Sequence, residues 1–241
     1  MAGAAYDNIA EWYDKAIREG VLAGDTALPA LLDLAGEVQG LQLCDLACGQ
    51  GRVTRELAQR GATVLGVDLS GKLLELARKQ EQAVPSGITY RQGDARTLEG
   101  LADGRFDGIT CHLALMDIDD LAATFRAVRR ALKSDGWFVF SITHPCFQTP
   151  RSRWTKPAKE TIAREVEAYF EEGFWRSDNP HGVRGQVGAY HRMLSTYLNN
   201  LIEAGLQLER MVEPGVPSEL VEKFPGYNVI PAVALIRCRK I

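Results

Sequence analysis

Apolar residues recur at helical spacing through Tyr6, Ile9, Ala10, Tyr13 and Ile17, which predicts an opening helix over residues 6–17. Gly20 and Gly24 punctuate the chain, and residues 28–34 predict a second helix with Pro29 in its first turn. From residue 41 the pattern changes. Residues 41–46 form a short apolar strand, Gly49-Gln50-Gly51 a tight turn, and residues 52–60 a helix with Val53, Leu57 and Ala58 on one face. The unit then repeats as architecture. A strand over 63–67 ends in Asp68, and Ser70 caps a helix that runs to Lys79. Strands over 88–91 and 106–113 follow, then an amphipathic helix over 121–132 stopped by Ser134-Asp135-Gly136, then a strand over 137–142. Strands alternating with helices of this length imply right-handed βαβ units and a parallel sheet covered on both faces. Ligands of such sheets bind beyond the carboxyl ends of the strands. Asp45, Asp68, Asp94, Cys111-His112 and Thr143-His144 all fall there.

Residues 144–190 break the rhythm with Pro145, Pro150, Pro157 and Pro180 among many aromatic side chains. A long insertion at the ligand edge reads as a lid, here also the acceptor region, and its middle, 159–172, predicts a helix of mixed charge. Arg151, Arg153, Lys156, Lys159 and Arg164 make its start basic, but Glu160, Glu165, Glu167, Glu171 and Glu172 offset them, which argues against an RNA-binding surface. A helix over 194–204, a glycine cap at Gly205 and strands over 206–212 and 229–237 close the chain.

A length of 241 residues suits one domain, residues 1–241, with N-terminal helices over 1–38 and the insertion over 144–190. The chain carries 28 Lys and Arg against 31 Asp and Glu, and the net charge of −3 gives no general attraction to nucleic acid or acidic membranes. No apolar run approaches the ~20 residues that span a bilayer, and the first five residues lack a basic stretch of the signal-peptide kind. The five cysteines and four histidines show no ligand spacing, so reduced thiols, no metal and a cytoplasmic location are expected.

A glycine turn between strand and helix presents backbone N–H groups and a helix N-terminus to a ligand. A dinucleotide would want a third glycine where Thr54 stands, and Asp45 would face its pyrophosphate with like charge. An acid at that strand end suits a cation instead, such as an ammonium beside a sulfonium. Asp68, 17 residues after Gly51, can accept both hydroxyls of a ribose, and Asp94 with the Ala95 amide can read an adenine edge. A cationic ligand with a ribose and an adenine points to S-adenosylmethionine.

These residues resemble the class I S-adenosylmethionine-dependent methyltransferases of the small-molecule type. The matching segments are Leu43-Cys44-Asp45-Leu46-Ala47-Cys48-Gly49-Gln50-Gly51, Gly66-Val67-Asp68-Leu69-Ser70, Gly93-Asp94-Ala95 and Phe106-Asp107-Gly108-Ile109, with Tyr6 to Asp14 like the helix that closes over the cofactor. The resemblance covers residues 6–144 and, by topology, the tail from Leu194. It implies an α/β, Rossmann-like, seven-stranded and mostly parallel sheet whose last strand is antiparallel, with an N-terminal helical lid and an inserted lid after strand five. It also implies that Ala47, Cys48 and Gly49 line the methionine part, Asp45 holds its amino group, and Asp68 takes the ribose. Leu69 would pack on the adenine, Asp94 and Ala95 read its edge, Cys111 lie under the cofactor through its backbone, and Trp12 and Tyr13 close over it. The turn Ser134-Asp135-Gly136 departs from the commoner Pro-Gly-Gly.

The motifs are nearly silent on the methyl acceptor. His144, aimed by Pro145, is the candidate base, with His191 as a weaker one, while His112 reads as structural or a pocket wall. Trp12, Tyr13, Phe147, Trp154, Trp175 and Tyr190 can wall a flat, partly apolar molecule or fill a core under the insertion. The expected activity is methyl transfer from S-adenosylmethionine, leaving S-adenosylhomocysteine, to O or N of an aromatic or heterocyclic metabolite. Competing readings are a tRNA or protein methyltransferase and a non-catalytic cofactor-binding module. An acceptor that ionises in water would need no base at all, and oligomeric state stays open.

Overall fold

The computed structural model describes residues 4–158 and 161–241. Seven strands form one sheet: β1 (Gln42–Leu46), β2 (Thr63–Asp68), β3 (Thr89–Gln92), β4 (Phe106–His112), β5 (Leu132–Thr143), β10 (Leu206–Val212) and β11 (Val233–Lys240). Four short strands of the insertion, β6 (Arg153–Ala158), β7 (Thr161–Glu165), β8 (Gly173–Trp175) and β9 (Ala189–His191), pair in two separate hairpins. The sheet order is β3-β2-β1-β4-β5-β11-β10, with β11 antiparallel to both neighbours. The order reverses between β1 and β4, and that switch point opens a crevice above the strand ends.

Helices α1 (Ala10–Arg18), α2 (Leu28–Ala35), α3 (Arg52–Gln59), α4 (Gly71–Ala83), α5 (Leu121–Ala131), α6 (Val183–Gln186) and α7 (Leu194–Glu203) complete the fold. Alternation along the central strands feeds two cores. Phe138 and Phe140 of β5 join Phe125 of α5 and Leu201 of α7 on one face, while Trp137 and Val139 join Leu31 and Leu32 of α2 on the other. Both faces are therefore apolar along β5 and β11, as a covered parallel-type sheet requires.

Three local readings change. The opening segment splits into a 3-10 turn, Ala5–Asn8, and α1, of which only Ala10, Asp14 and Ala16 are buried. In the insertion the described part of the predicted 159–172 helix is β7 followed by a turn with Ala168 at φ +59°. Cross-strand pairing outweighs helical propensity there: Trp154 sits opposite Arg164, whose guanidinium lies 5.1 Å from the indole ring, and Arg153 pairs with Glu165. Lys159 and Glu160 lie outside the described residues. Finally, β11 starts at Val233 rather than 229, because 218–231 is spent on turns that leave Val229 exposed.

Candidate functional site

The turn after β1 is held by its own backbone. Ala47, Gly49 and Gly51 take φ of +53°, +56° and +82°, and the Gly51 amide donates to the Cys48 carbonyl. A Cβ on Gly51 would run into the Tyr90 hydroxyl, so glycine is demanded twice there, by dihedral and by space. Asp68, 8% exposed at the end of β2, accepts from the Gly49 amide at 2.7 Å through one oxygen and from the Ser70 amide at 2.7 Å through the other. It ties the second strand end to the glycine turn. Burial pushes its carboxyl up to about 6 against these hydrogen bonds.

Asp45 is placed deeper than its motif suggests, at 1% exposure. Thr54 Oγ1 donates to one oxygen at 2.6 Å and Thr110 Oγ1 to the other at 2.9 Å, so Asp45 braces β1 against α3 and β4. The residue that replaces the third glycine of a dinucleotide motif is thus the partner of that acid. Burial pushes Asp45 up to about 6 as well.

Above the switch point lies a cleft of about 480 Å³, within the usual size of ligand sites. Ala47, Gly49, Asp68, Leu69, Asp94 and Ala95 line it, with Tyr13 of α1 on its upper side. A recess of about 70 Å³ adjoins it, walled by Asp45, Cys48, Gln50 and Arg52 and sharing Tyr13, Ala47, Gly49 and His112 with the cleft. Asp94 reaches the cleft already bonded: Arg96 Nε lies 3.0 Å from both its oxygens and holds the carboxyl below the ordinary range. Arg96 in turn grips Asp119 at 2.9 and 3.0 Å.

Trp12 and Cys111 do not line the cleft themselves. Trp12 lies on the outer side of α1, 37% exposed, because one helical step turns it away from the face that Tyr13 presents. Cys111 is fully buried beneath the strand end, and the chain meets the cleft one and two residues later, at His112 and Leu113.

Neither candidate base stands in the cleft. His144 is 2% exposed, accepts from the Cys146 amide at Nδ1 (3.2 Å) and donates from Nε2 to Glu213 Oε1 at 2.5 Å. Both ring nitrogens are spent on fastening the exit of β5 to the segment after β10. His191 donates from Nε2 to the Tyr169 carbonyl at 2.9 Å and lines a separate cavity of about 70 Å³ behind Tyr190. The histidine that does border the cleft is His112. Its Nδ1 lies 2.7 Å from Ser141 Oγ, which also accepts from the Leu113 amide at 2.9 Å, so the serine proton is free for Nδ1 and the ring proton belongs on Nε2. Nε2 is buried without a hydrogen-bond partner among the described residues, 3.8 Å from Asp25 Oδ1. Burial first, and the Arg52 charge second, push this histidine down to about 3, so it stays neutral.

Several site residues carry no motif. Asp25 reaches across from the N-terminal segment to pair with Arg52. Tyr6 donates to Asp117 at 3.0 Å, Ser70 Oγ donates to Asp7 at 2.6 Å, and Phe174 and Tyr190 of the insertion complete the walls. Ser70 ends a matching segment and reads as a helix cap, which it is, accepting from the Leu73 amide, while nothing local announces its bond to Asp7. Asp25, Asp117 and Phe174 come from turns and distant segments, where periodicity gives no signal.

Among the described residues, no group of three His, Cys, Asp or Glu side chains is placed to hold a metal, and no helix is long and apolar enough to cross a membrane. The family model described as "Methyltransferase domain" matches residues 44–140. A crystal structure of an S-adenosylmethionine dependent methyltransferase from Mesorhizobium loti is 34% identical, covers 89% of this chain and 98% of its own, and superposes with a TM-score of 0.78. An uncharacterized protein of Haemophilus influenzae is 31% identical over 98% of this chain and 95% of its own length. The ubiquinone biosynthesis O-methyltransferase of Leptothrix cholodnii is 36% identical, over only 44% of this chain and 46% of that protein. Acids suited to a cation with a ribose, a glycine turn of matching form and full-length likeness agree: the chain belongs to the class I S-adenosylmethionine-dependent methyltransferases.

Proposed function

We propose that this enzyme, as a single domain over residues 1–241, methylates O or N of a small, flat, partly apolar aromatic or heterocyclic metabolite in the cytoplasm, by in-line displacement. The observation that carries the reading is the aromatic lining of the cleft, to which the N-terminal segment gives Tyr6 and Tyr13 and the insertion gives Phe174 and Tyr190. Such aromatic walls favour a flat guest over a folded macromolecule. The insertion's charges point the same way, since Arg151 pairs with Glu171 and Arg153 with Glu167, so these cations are matched by the insertion's own carboxylates rather than left for a phosphate backbone.

S-adenosylmethionine supplies a methyl group already activated on a sulfonium. The chain's part is to bind and align. In this reading Asp68 takes the ribose hydroxyls with its remaining lone pairs, Leu69 covers the adenine face, and Ala95 beside Asp94 meets its edge. Ala47, Cys48 and Gly49 shape the methionine end, where Arg52 answers the carboxylate and Asp45 acts through its field rather than by contact. Alignment of two bound reactants can contribute up to ~7–11 kcal/mol. With His144 and His191 committed elsewhere and His112 a neutral donor, we assign no general base, which favours an acceptor that ionises in water. His144 then serves to position the β5 exit.

Incubating the enzyme with methyl-labelled S-adenosylmethionine and a fractionated cell extract tests this. Label is expected in the small-molecule fraction and absent with Asp68→Ala. Label in the RNA or protein fraction would overturn the acceptor class.

A further inference from the structure

Two segments far apart in sequence roof the cleft, and both end on one carboxylate. Asp117 follows β4 in the 3-10 turn Leu115–Asp117, its side chain 18% exposed. Through Oδ2 it accepts from the hydroxyl of Tyr6, in the N-terminal segment, at 3.0 Å. Through Oδ1 it receives the Arg184 guanidinium, from α6 of the insertion, and the same Arg184 nitrogen also donates to the Gly188 carbonyl at 3.2 Å. The turn that carries Asp117 is itself rigid. Leu115 and Met116 are buried, and Arg192 donates to the carbonyls of Leu115, Ile118 and Asp119 at 3.1, 2.6 and 2.8 Å.

We infer that Asp117 is a positioning residue that couples the two roofs, so that closing the N-terminal segment over the cofactor and closing the insertion over the acceptor become one event. The inference rests on the reading of these segments as covers of the two ligands. Its physical basis is mutual support. Burial pushes the Asp117 carboxyl up, while the Arg184 charge and the Tyr6 hydrogen bond act the other way and favour the carboxylate, and hydrogen bonds to a charged group are the stronger kind. Release Arg184, and a mostly buried charge is left uncompensated, so the carboxyl turns to water and the Tyr6 bond weakens with it. Release Tyr6, and Arg184 loses the second donor that held the carboxylate in place. Tyr6 and Arg184 hold different oxygens of the same group, and Asp117 lines the cleft together with Tyr6.

Hydrogen exchange on the whole protein tests the coupling, with and without saturating S-adenosylhomocysteine. Arg184→Gln touches the insertion arm alone, yet is expected to speed exchange in residues 6–13 roughly three- to tenfold, the scale of one weakened charged hydrogen bond. Tyr6→Phe is expected to do the same to residues 183–188, and Arg184→Lys, which keeps the charge, is expected to restore most of the protection. Both variants are mild and their melting curves check folding. Exchange that rises only in the substituted segment would overturn the coupling. Because the measurement is read in both ligand states, a wild type that ignores S-adenosylhomocysteine would instead count against the cofactor reading, and would do so separately.

Discussion

Burial raises the carboxyls of Asp45 and Asp68 to about 6 from an ordinary 3.8, and each remains there in spite of the hydrogen bonds it accepts. An acid whose pKa is higher in the folded than in the unfolded state favours the protonated fold. Its contribution to stability is full below about 3.8 and is lost as pH rises through about 6. A cationic ligand has the opposite preference, because it is held by the ionised form. Affinity for S-adenosylmethionine is therefore expected to fall on acidification, by about tenfold between pH 7 and pH 5 for one group of this kind. Binding near pH 5.5 should release protons, visible by calorimetry in two buffers of different ionisation enthalpy. Asp68→Asn should weaken binding and flatten the profile; an affinity unchanged between pH 5 and 7 would show that neither acid titrates against the ligand.

At the scale of the element, the glycine turn and the strand it faces form one unit. Gly51 starts α3 in a left-handed conformation, φ +82°, with Tyr90 of β3 filling the space a side chain would need. Gly87 has nearly the same φ, +78°, but nothing within 4 Å of an added Cβ. Comparing alanine at the two positions separates dihedral strain from collision. Gly87→Ala is expected to cost about 1 kcal/mol in thermal or denaturant melting, and Gly51→Ala about 2–4 kcal/mol together with cofactor binding. Equal costs would show that the Tyr90 ring gives way. The same contrast explains what was readable beforehand. The turn, Asp68, Leu69 and Ala95 stand within a few residues of a strand end, so local pattern fixes them. Trp12 stands one helical step off the cleft, whereas Cys111 lies buried beneath the strand end, as a residue under the cofactor would. His144 looked catalytic because Pro145 aims it, but its partner Glu213 lies 69 residues away and nothing local announces it. The β6–β7 hairpin was missed for the same reason, since cross-strand pairs are invisible to a single-segment reading.

At the scale of the whole molecule, the core and the closure of the site are built from different parts of the chain. Among the described residues, the apolar clusters contain none before Ala27. Residues 4–20 bury only Ala10, Asp14 and Ala16 and are fastened largely by polar ties: Tyr6 to Asp117, Asp7 to Ser70, and Lys223 Nζ to the Glu19 carbonyl at 3.0 Å. Exposed polar ties add little to global stability, and the partly buried tie to Asp117 joins the two lids rather than the core, so these contacts decide chiefly whether a lid stays shut. A variant lacking residues 1–20 should therefore melt within a few degrees of the full chain when no ligand is present. The difference should appear on adding S-adenosylhomocysteine. At a hundredfold excess over Kd the ligand stabilises its complex by about 2.7 kcal/mol, roughly 5–10 °C for a chain of this length, and the shortened protein should show little of that shift. If the shortened chain unfolds without ligand, the segment belongs to the core; if its ligand shift is undiminished, the cleft closes without it. Only a stable sheet that has lost its hold on the cofactor fits a fold in which apolar packing makes the platform and a handful of polar contacts make the roof.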